Sequence, residues 1–352
     1  MRFRISAGVL TIAVALMWLT ANTTADQQAA GATGKPAAAA RPAASTAKPY
    51  KAPRTPDGQP DLGGFWSNAT YTPLERAQNV TKEYYTEEEF KKLLTDRREN
   101  DEEQTTPGTT ADVHYDFTQF ALDNHQSTLS RSLRTSLIFD PPDGKMPPMT
   151  AEGQKRNADR AAARKAMGPA TDAVQNMSNG ARCIIMGGSG PPLMDAGYNA
   201  NYHIVQTRDH VMILTEMNHD ARIIPLNRVA KAPAGVRPWI GVSAGRWDGD
   251  TLVVETTNFN GRNPFRGSSE NLKVIERFTR IADDAIVYRF TIEDPSTWSR
   301  PWSAEERLQK TDGPIFEHAC HEGNYGITNT LAGARAEERA AEEAAASKAG
   351  TR

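Results

Sequence analysis

The chain has 352 residues, 41 of them Lys or Arg and 43 Asp or Glu, for a formal net charge of -2. The signs are interspersed, which excludes a basic face for nucleic acid and an acidic block for cations. The length allows one large or two ordinary domains once both ends are set aside.

Arg2 and Arg4 precede an apolar run from Ile5 to Leu19, and small residues follow at Thr23 and Ala25, the layout of a secretory signal peptide over 1–25. At about 15 residues the run is shorter than the roughly 20 that a spanning helix needs, so no membrane span is expected in the mature chain; a retained N-terminal anchor is the alternative. Residues 26–54 are Ala- and Pro-rich with little to bury and read as a disordered linker. A single mainly-β domain is expected over 55–331, and a charged, Ala-rich tail over 332–352, with little apolar stripe to dock it. The expected location is periplasmic or secreted.

Cys183 and Cys320 are the two cysteines, and in an oxidising compartment they are expected to pair. The rival reading is a reactive or metal-bound thiolate, with His318 and His321 beside Cys320.

The domain opens with turns at Pro56-Asp57-Gly58 and Gly63-Gly64 around a short strand ending near Trp66. In YTEEEFKKLLTDRRENDEE, Thr86 and Glu89 make a capping-box pair at the start of a helix, and 100–110 reads as polar loop. After a brief strand in RSLRTSLIF, prolines at 141, 142, 147 and 148 impose an extended surface connector. A second helix begins after Thr150 as N-cap.

From 202 the period of the apolar pattern becomes two. Strands are predicted over 202–206, 210–217, 222–226, 242–247, 251–257, 272–281 and 285–292, with hairpin signals at Asp248-Gly249-Asp250 and Asp283-Asp284. Short sequential strands with tight turns predict a mainly β fold. Its core is an antiparallel, barrel-like meander over 198–310, lipocalin-like or a curved sheet, wrapped by the N-terminal helices and loops.

Alternate residues of a strand share a face, so Glu255, Arg277 and Arg289 are candidates to gather on one surface, either the lining of a cavity or a solvated exterior. At NHDARIIPL, His219 is a candidate proton-transfer group, Asp220 its orienting carboxylate and Arg222 an anion-holding group, provided a turn lets the first two converge. In HACHEGNYG, His321, Glu322 and Tyr325 are candidate rim residues. In YNANYH, Tyr198, Asn199, Asn201, Tyr202 and His203 offer hydrogen bonds and rings to a polar ligand. The alternatives are a surface turn held by Asp220 at NHDARIIPL and a disulfide-pinned loop at HACHEGNYG; tryptophans such as Trp66, Trp239, Trp247, Trp298 and Trp302 could add stacking, with core packing their alternative.

HExxH, a GxGxxG after a strand, a P-loop and paired CxxC motifs are absent, and Gly187-Gly188-Ser189-Gly190-Pro191 lacks the last glycine of a nucleophile elbow. No cofactor and no metal site is predicted. A divalent metal held by His203, His219 and His321 with Asp220 or Glu322 stays open, at a spacing that is not diagnostic.

The segments TPDGQPDLGGFW, DPPDGKMPP, HDARIIPL, GRWDGDTLVVETTNF and ACHEGNYG together resemble a large family of exported, mostly uncharacterised bacterial proteins. The resemblance spans most of the mature chain and implies export, but transfers no activity. The residues themselves point to an exported enzyme performing cofactor-free acid/base chemistry, a lyase, isomerase or hydrolase acting on a small polar or carbohydrate-like molecule. In that reading His219, Asp220, Glu255, Arg277 and His321 are catalytic, with Arg222, Arg289 and the aromatic and amide groups binding substrate. The alternative is a periplasmic protein that binds a small molecule or sugar without turning it over.

Overall fold

The two-residue alternation from 201 onward leaves each strand one apolar face, which an antiparallel sheet buries against a second layer or by curling around it; this sheet curls. The computed structural model describes residues 50–101, 129–195, 197–228 and 232–350. The expected signal peptide and most of the linker and of the 100–110 loop lie outside them.

The strands are β1 (Gly64–Ser67), β2 (Ile138–Asp140), β3 (Asn201–Gln206), β4 (His210–Thr215), β5 (Ala221–Pro225), β6 (Val242–Asp248), β7 (Thr251–Thr257), β8 (Lys273–Ala282), β9 (Ala285–Glu293) and β10 (Trp302–Thr311). They form one antiparallel sheet in the order β5-β4-β3-β1-β10-β9-β8-β7-β6. The free edge of β10 is shared, β1 pairing with 309–311 and β2 with Ser303 and Ala304. The sheet curls into a barrel without closing: its edges meet at one parallel bridge between Leu226 and Gly245, where Asn227 N–H donates to the Gly245 carbonyl at 2.8 Å. The Asp248–Asp250 hairpin turns at Gly249, whose φ of 59° is the positive value such turns require.

Side chains fill the lumen, among them Trp66, Tyr202, Phe278, Tyr288, Phe290 and Trp302, all almost fully buried. Burying each such apolar side chain contributes about 1.5–3 kcal/mol. The outer face of β6–β9 carries the opposite residues, including Arg246, Glu255, Arg277 and Arg289.

Among the described residues three α-helices accompany the barrel. α1 (Glu87–Asp101) starts with the expected capping box: Glu89 N–H donates to Thr86 Oγ1 (3.2 Å) and Thr86 N–H to Glu89 Oε2 (2.8 Å). α2 (Ala151–Ala166) starts at Thr150, which accepts from Gly153 N–H at 3.0 Å, and Arg160 ties it to the Ser268 carbonyl at 2.9 Å. α3 (Tyr325–Gly350) takes in most of the expected tail as a largely exposed helix. No helix among the described residues is long and apolar enough to cross a membrane.

Two boundaries differ from the sequence reading. Residues 50–54, expected in the linker, lie on the barrel's hairpins: Tyr50 Oη donates to Asp283 (2.8 Å) and Arg54 pairs with Asp250. Strand β10 lies beyond the predicted strands, its apolar alternation in WSAEERLQKT broken by Glu306 on the buried face.

Candidate functional site

Antiparallel order puts the starts of β3, β5, β6, β8 and β10 and the ends of β1, β4, β7 and β9 at one end of the barrel. This end is the mouth, and the interior just inside it is polar. Arg222 on β5 donates to both carboxylate oxygens of Glu276 on β8, at 2.6 and 3.1 Å, with both side chains buried. Tyr288 Oη donates to Glu276 Oε1 at 2.9 Å. Burial alone would pull the Arg222 guanidinium down, but the charge and hydrogen bonds of Glu276 outweigh it and hold it above its ordinary value. Burial holds the Tyr288 and Tyr202 hydroxyls well above theirs.

Nearby, Glu306 is buried with a single hydrogen bond, accepted from Asn68 Nδ2 at 3.2 Å. Burial, then the charge of Asp195, pushes its carboxyl well above the glutamate range.

Over this floor lies the segment MGGSGPPLMD, 186–195. Gly188 and Gly190 take positive φ (84° and 73°), and a Cβ on Gly190 would stand 2.8 Å from Leu193 Cδ2, so the turn suits glycine on both counts. The Leu193 side chain drops into the core, and its N–H donates to Tyr288 Oη at 2.9 Å. Asp195 accepts from Thr70 N–H (2.9 Å) and Gly197 N–H (2.7 Å). Between this plug and the connectors before β6 and after β7 is a cavity of about 270 Å³, lined by the rings of Trp239, Phe259 and Phe265, the backbone of Gly187 and Gly190, and the charged groups Asp195 and Arg266.

The structure gathers only some of the expected residues here. Arg222 and Tyr202 point into the polar interior. Tyr198 and His318 approach at the mouth, ring centroids 6.4 Å apart, and the plug touches the β4–β5 turn through Ser189 Oγ and the Met217 carbonyl at 3.5 Å. Asn199 takes φ 49° in the stretch leading into β3. Asn201 instead donates to Glu216 at 2.6 Å, and His203 stacks on Phe65 at 4.3 Å.

His219 is exposed, with φ 51°, and Asp220 accepts from Asn218 Nδ2 (2.6 Å), so the turn does not bring the two side chains into a pair. Glu255, Arg277 and Arg289 lie on the outer face, paired with Lys273 (3.0 Å), Asp248 (2.7 Å) and Glu305 (2.7 Å). Of the two readings of that face, it is the solvated one. His321, Glu322 and Tyr325 are exposed beside the Cys183–Cys320 disulfide, whose Cα atoms are 5.6 Å apart, and Asn324 Nδ2 donates to Cys183 Sγ at 3.1 Å. Among the described residues no group of three or more His, Cys, Asp or Glu side chains is placed to hold a metal ion.

Sequence reasoning missed Glu276, Tyr288, Glu306, Asp195 and the plug. The signal for two of them is present: Glu276 stands between Val274 and Phe278, and Glu306 between Ala304 and Leu308, each a carboxylate on an apolar face.

No family model and no curated protein matches the chain. Among solved structures it is similar to a "secretary abundant heat soluble (SAHS) protein" from Ramazzottius varieornatus, with 14% identity over 32% of this chain and 70% of that chain and a TM-score of 0.21. A likeness at that score carries no argument about this protein.

Proposed function

We propose that the protein is an exported small-molecule-binding barrel that takes a small polar or carbohydrate-like ligand in the mouth cavity. One observation carries this reading: Trp239, Phe259, Phe265 and Asp195 line a cavity of about 270 Å³ at the mouth of the barrel, just under the range of roughly 300–1,000 Å³ for ligand pockets. Rings give a sugar its stacking faces, and Asp195 retains lone pairs for hydroxyl donors beyond its two backbone bonds. Export is supported by the disulfide and by the N-terminal sequence pattern.

A second reading, acid/base turnover of the same ligand, is favoured by Asp195, the carboxyl group among the cavity's lining residues. In that reading Asp195 takes the place of His219, Glu255 and His321, none of which lines that cavity, as the reacting group.

Calorimetric titration of the mature protein with neutral hexoses, uronic acids and polyols tests both. Binding that Asp195→Asn and Trp239→Ala each weaken about tenfold or more, with the ligand recovered unchanged, supports the first reading. Conversion of the ligand, lost in Asp195→Asn, supports the second. Full affinity in both variants sinks the site.

A further inference from the structure

We propose that Tyr288 is the positioning residue of the mouth cavity: held by the buried Arg222–Glu276 pair, its hydroxyl fixes the Leu193 amide and with it the Gly187–Asp195 wall. The inference rests on the reading of that cavity as the ligand site and assigns the group that shapes it.

Besides its buried Pro191, Pro192 and Leu193 side chains and the Asp195 bond to Thr70 N–H, the plug has few hydrogen bonds to the barrel. Pro191 and Pro192 carry no N–H, so Leu193 supplies the first amide after the glycine turn that can bond to the barrel. That amide reaches no carbonyl of the sheet; it donates to Tyr288 Oη at 2.9 Å. The other tie ahead of it, Ser189 Oγ to the Met217 carbonyl, is 3.5 Å long and correspondingly weak.

Tyr288 is rigid on its own side. Its ring is packed between Phe278 and Phe290, with centroids at 4.8 and 5.7 Å, and its proton is directed to Glu276 Oε1, leaving the oxygen lone pairs toward Leu193. Glu276 in turn is oriented by the two-point contact with Arg222. The chain Arg222, Glu276, Tyr288, Leu193 thus ties β5, β8 and β9 to the glycine-rich wall.

Tyr288→Phe keeps the ring packing and deletes only the oxygen. Hydrogen exchange followed by mass spectrometry on the mature, disulfide-bonded protein reads the result. The expected outcome is exchange about tenfold or more faster at Gly190, Leu193 and Met194, as expected from losing one buried hydrogen bond, with smaller changes in β8 and β9. Unchanged exchange in the plug, or equal acceleration through plug and strands, overturns the assignment. Should the variant not fold, the wild type decides: Leu193 protected as well as the strand amides supports the tie, and Leu193 exchanging at the rate of a free amide refutes it. No ligand enters this measurement, so its failure is distinct from a failure to find any sugar that binds.

Discussion

Arg222 on β5 and Glu276 on β8 meet inside the barrel through two parallel hydrogen bonds of 2.6 and 3.1 Å, although their strands are not neighbours in the sheet. Removing one partner strands a buried charge. Glu276→Ala is expected to destabilise the protein by about 3–5 kcal/mol, whereas replacing Arg222 and Glu276 together by Met and Leu should cost far less. Urea denaturation of the single and double variants gives both numbers. Equal losses would show that the pair is not the buried unit described.

Glu306 makes stability depend on pH. Its folded carboxyl titrates well above the unfolded one because of burial and then Asp195, so the folded state binds the extra proton. That contribution is complete below the ordinary glutamate range and is lost as pH rises from there through the folded value, by up to about 1.4 kcal/mol per pH unit. Glu306→Gln, which cannot ionise, should flatten this decline. Denaturation midpoints from pH 4 to 9 that fall in parallel for variant and wild type would rule it out.

The disulfide joins residues 137 apart, a loop for which chain entropy gives at most about 5 kcal/mol. Mass mapping of unreduced peptides should recover the Cys183 and Cys320 peptides joined, and a Cys183→Ala, Cys320→Ala protein should unfold at lower denaturant. Two free thiols in exported protein would contradict the pairing.

Glu255, Arg277 and Arg289 have side chains 47, 43 and 50% exposed. Exposed pairs of this kind contribute little, so each alanine variant should stay within about 0.5 kcal/mol of wild type and leave ligand affinity unchanged. A loss of binding in Arg277→Ala would return that face to consideration as a site.

Much of the barrel is legible in the sequence because its determinants are local. Alternation from 201 to 292, the turn residues at 248–250 and 283–284, and the caps at Thr86 and Thr150 each act within a few residues. The site is less legible because its determinants are not. Period two puts Glu276 on the apolar face with Val274 and Phe278, but not its partners: Arg222 and Tyr288 reach it only when β5 and β9 fold around the same lumen. Glu255 and Arg277 stand out by charge, yet the informative groups are the carboxyls embedded among apolar neighbours, Glu276 and Glu306. The plug offers no periodicity at all, and its role depends on one contact across 95 residues, from Leu193 to Tyr288.

The central claim is that the mouth cavity is where a ligand sits. Amide and tryptophan side-chain chemical-shift mapping of the mature protein, titrated with the tightest-binding sugar or polyol found by calorimetry, tests it directly. The account predicts shifts concentrated at Gly187, Gly190, Met194, Asp195, the Trp239 indole, Phe259 and Phe265. Shifts confined to the outer face around Glu255 and Arg277, or to the exposed His219 turn, with the cavity residues unmoved, would contradict it.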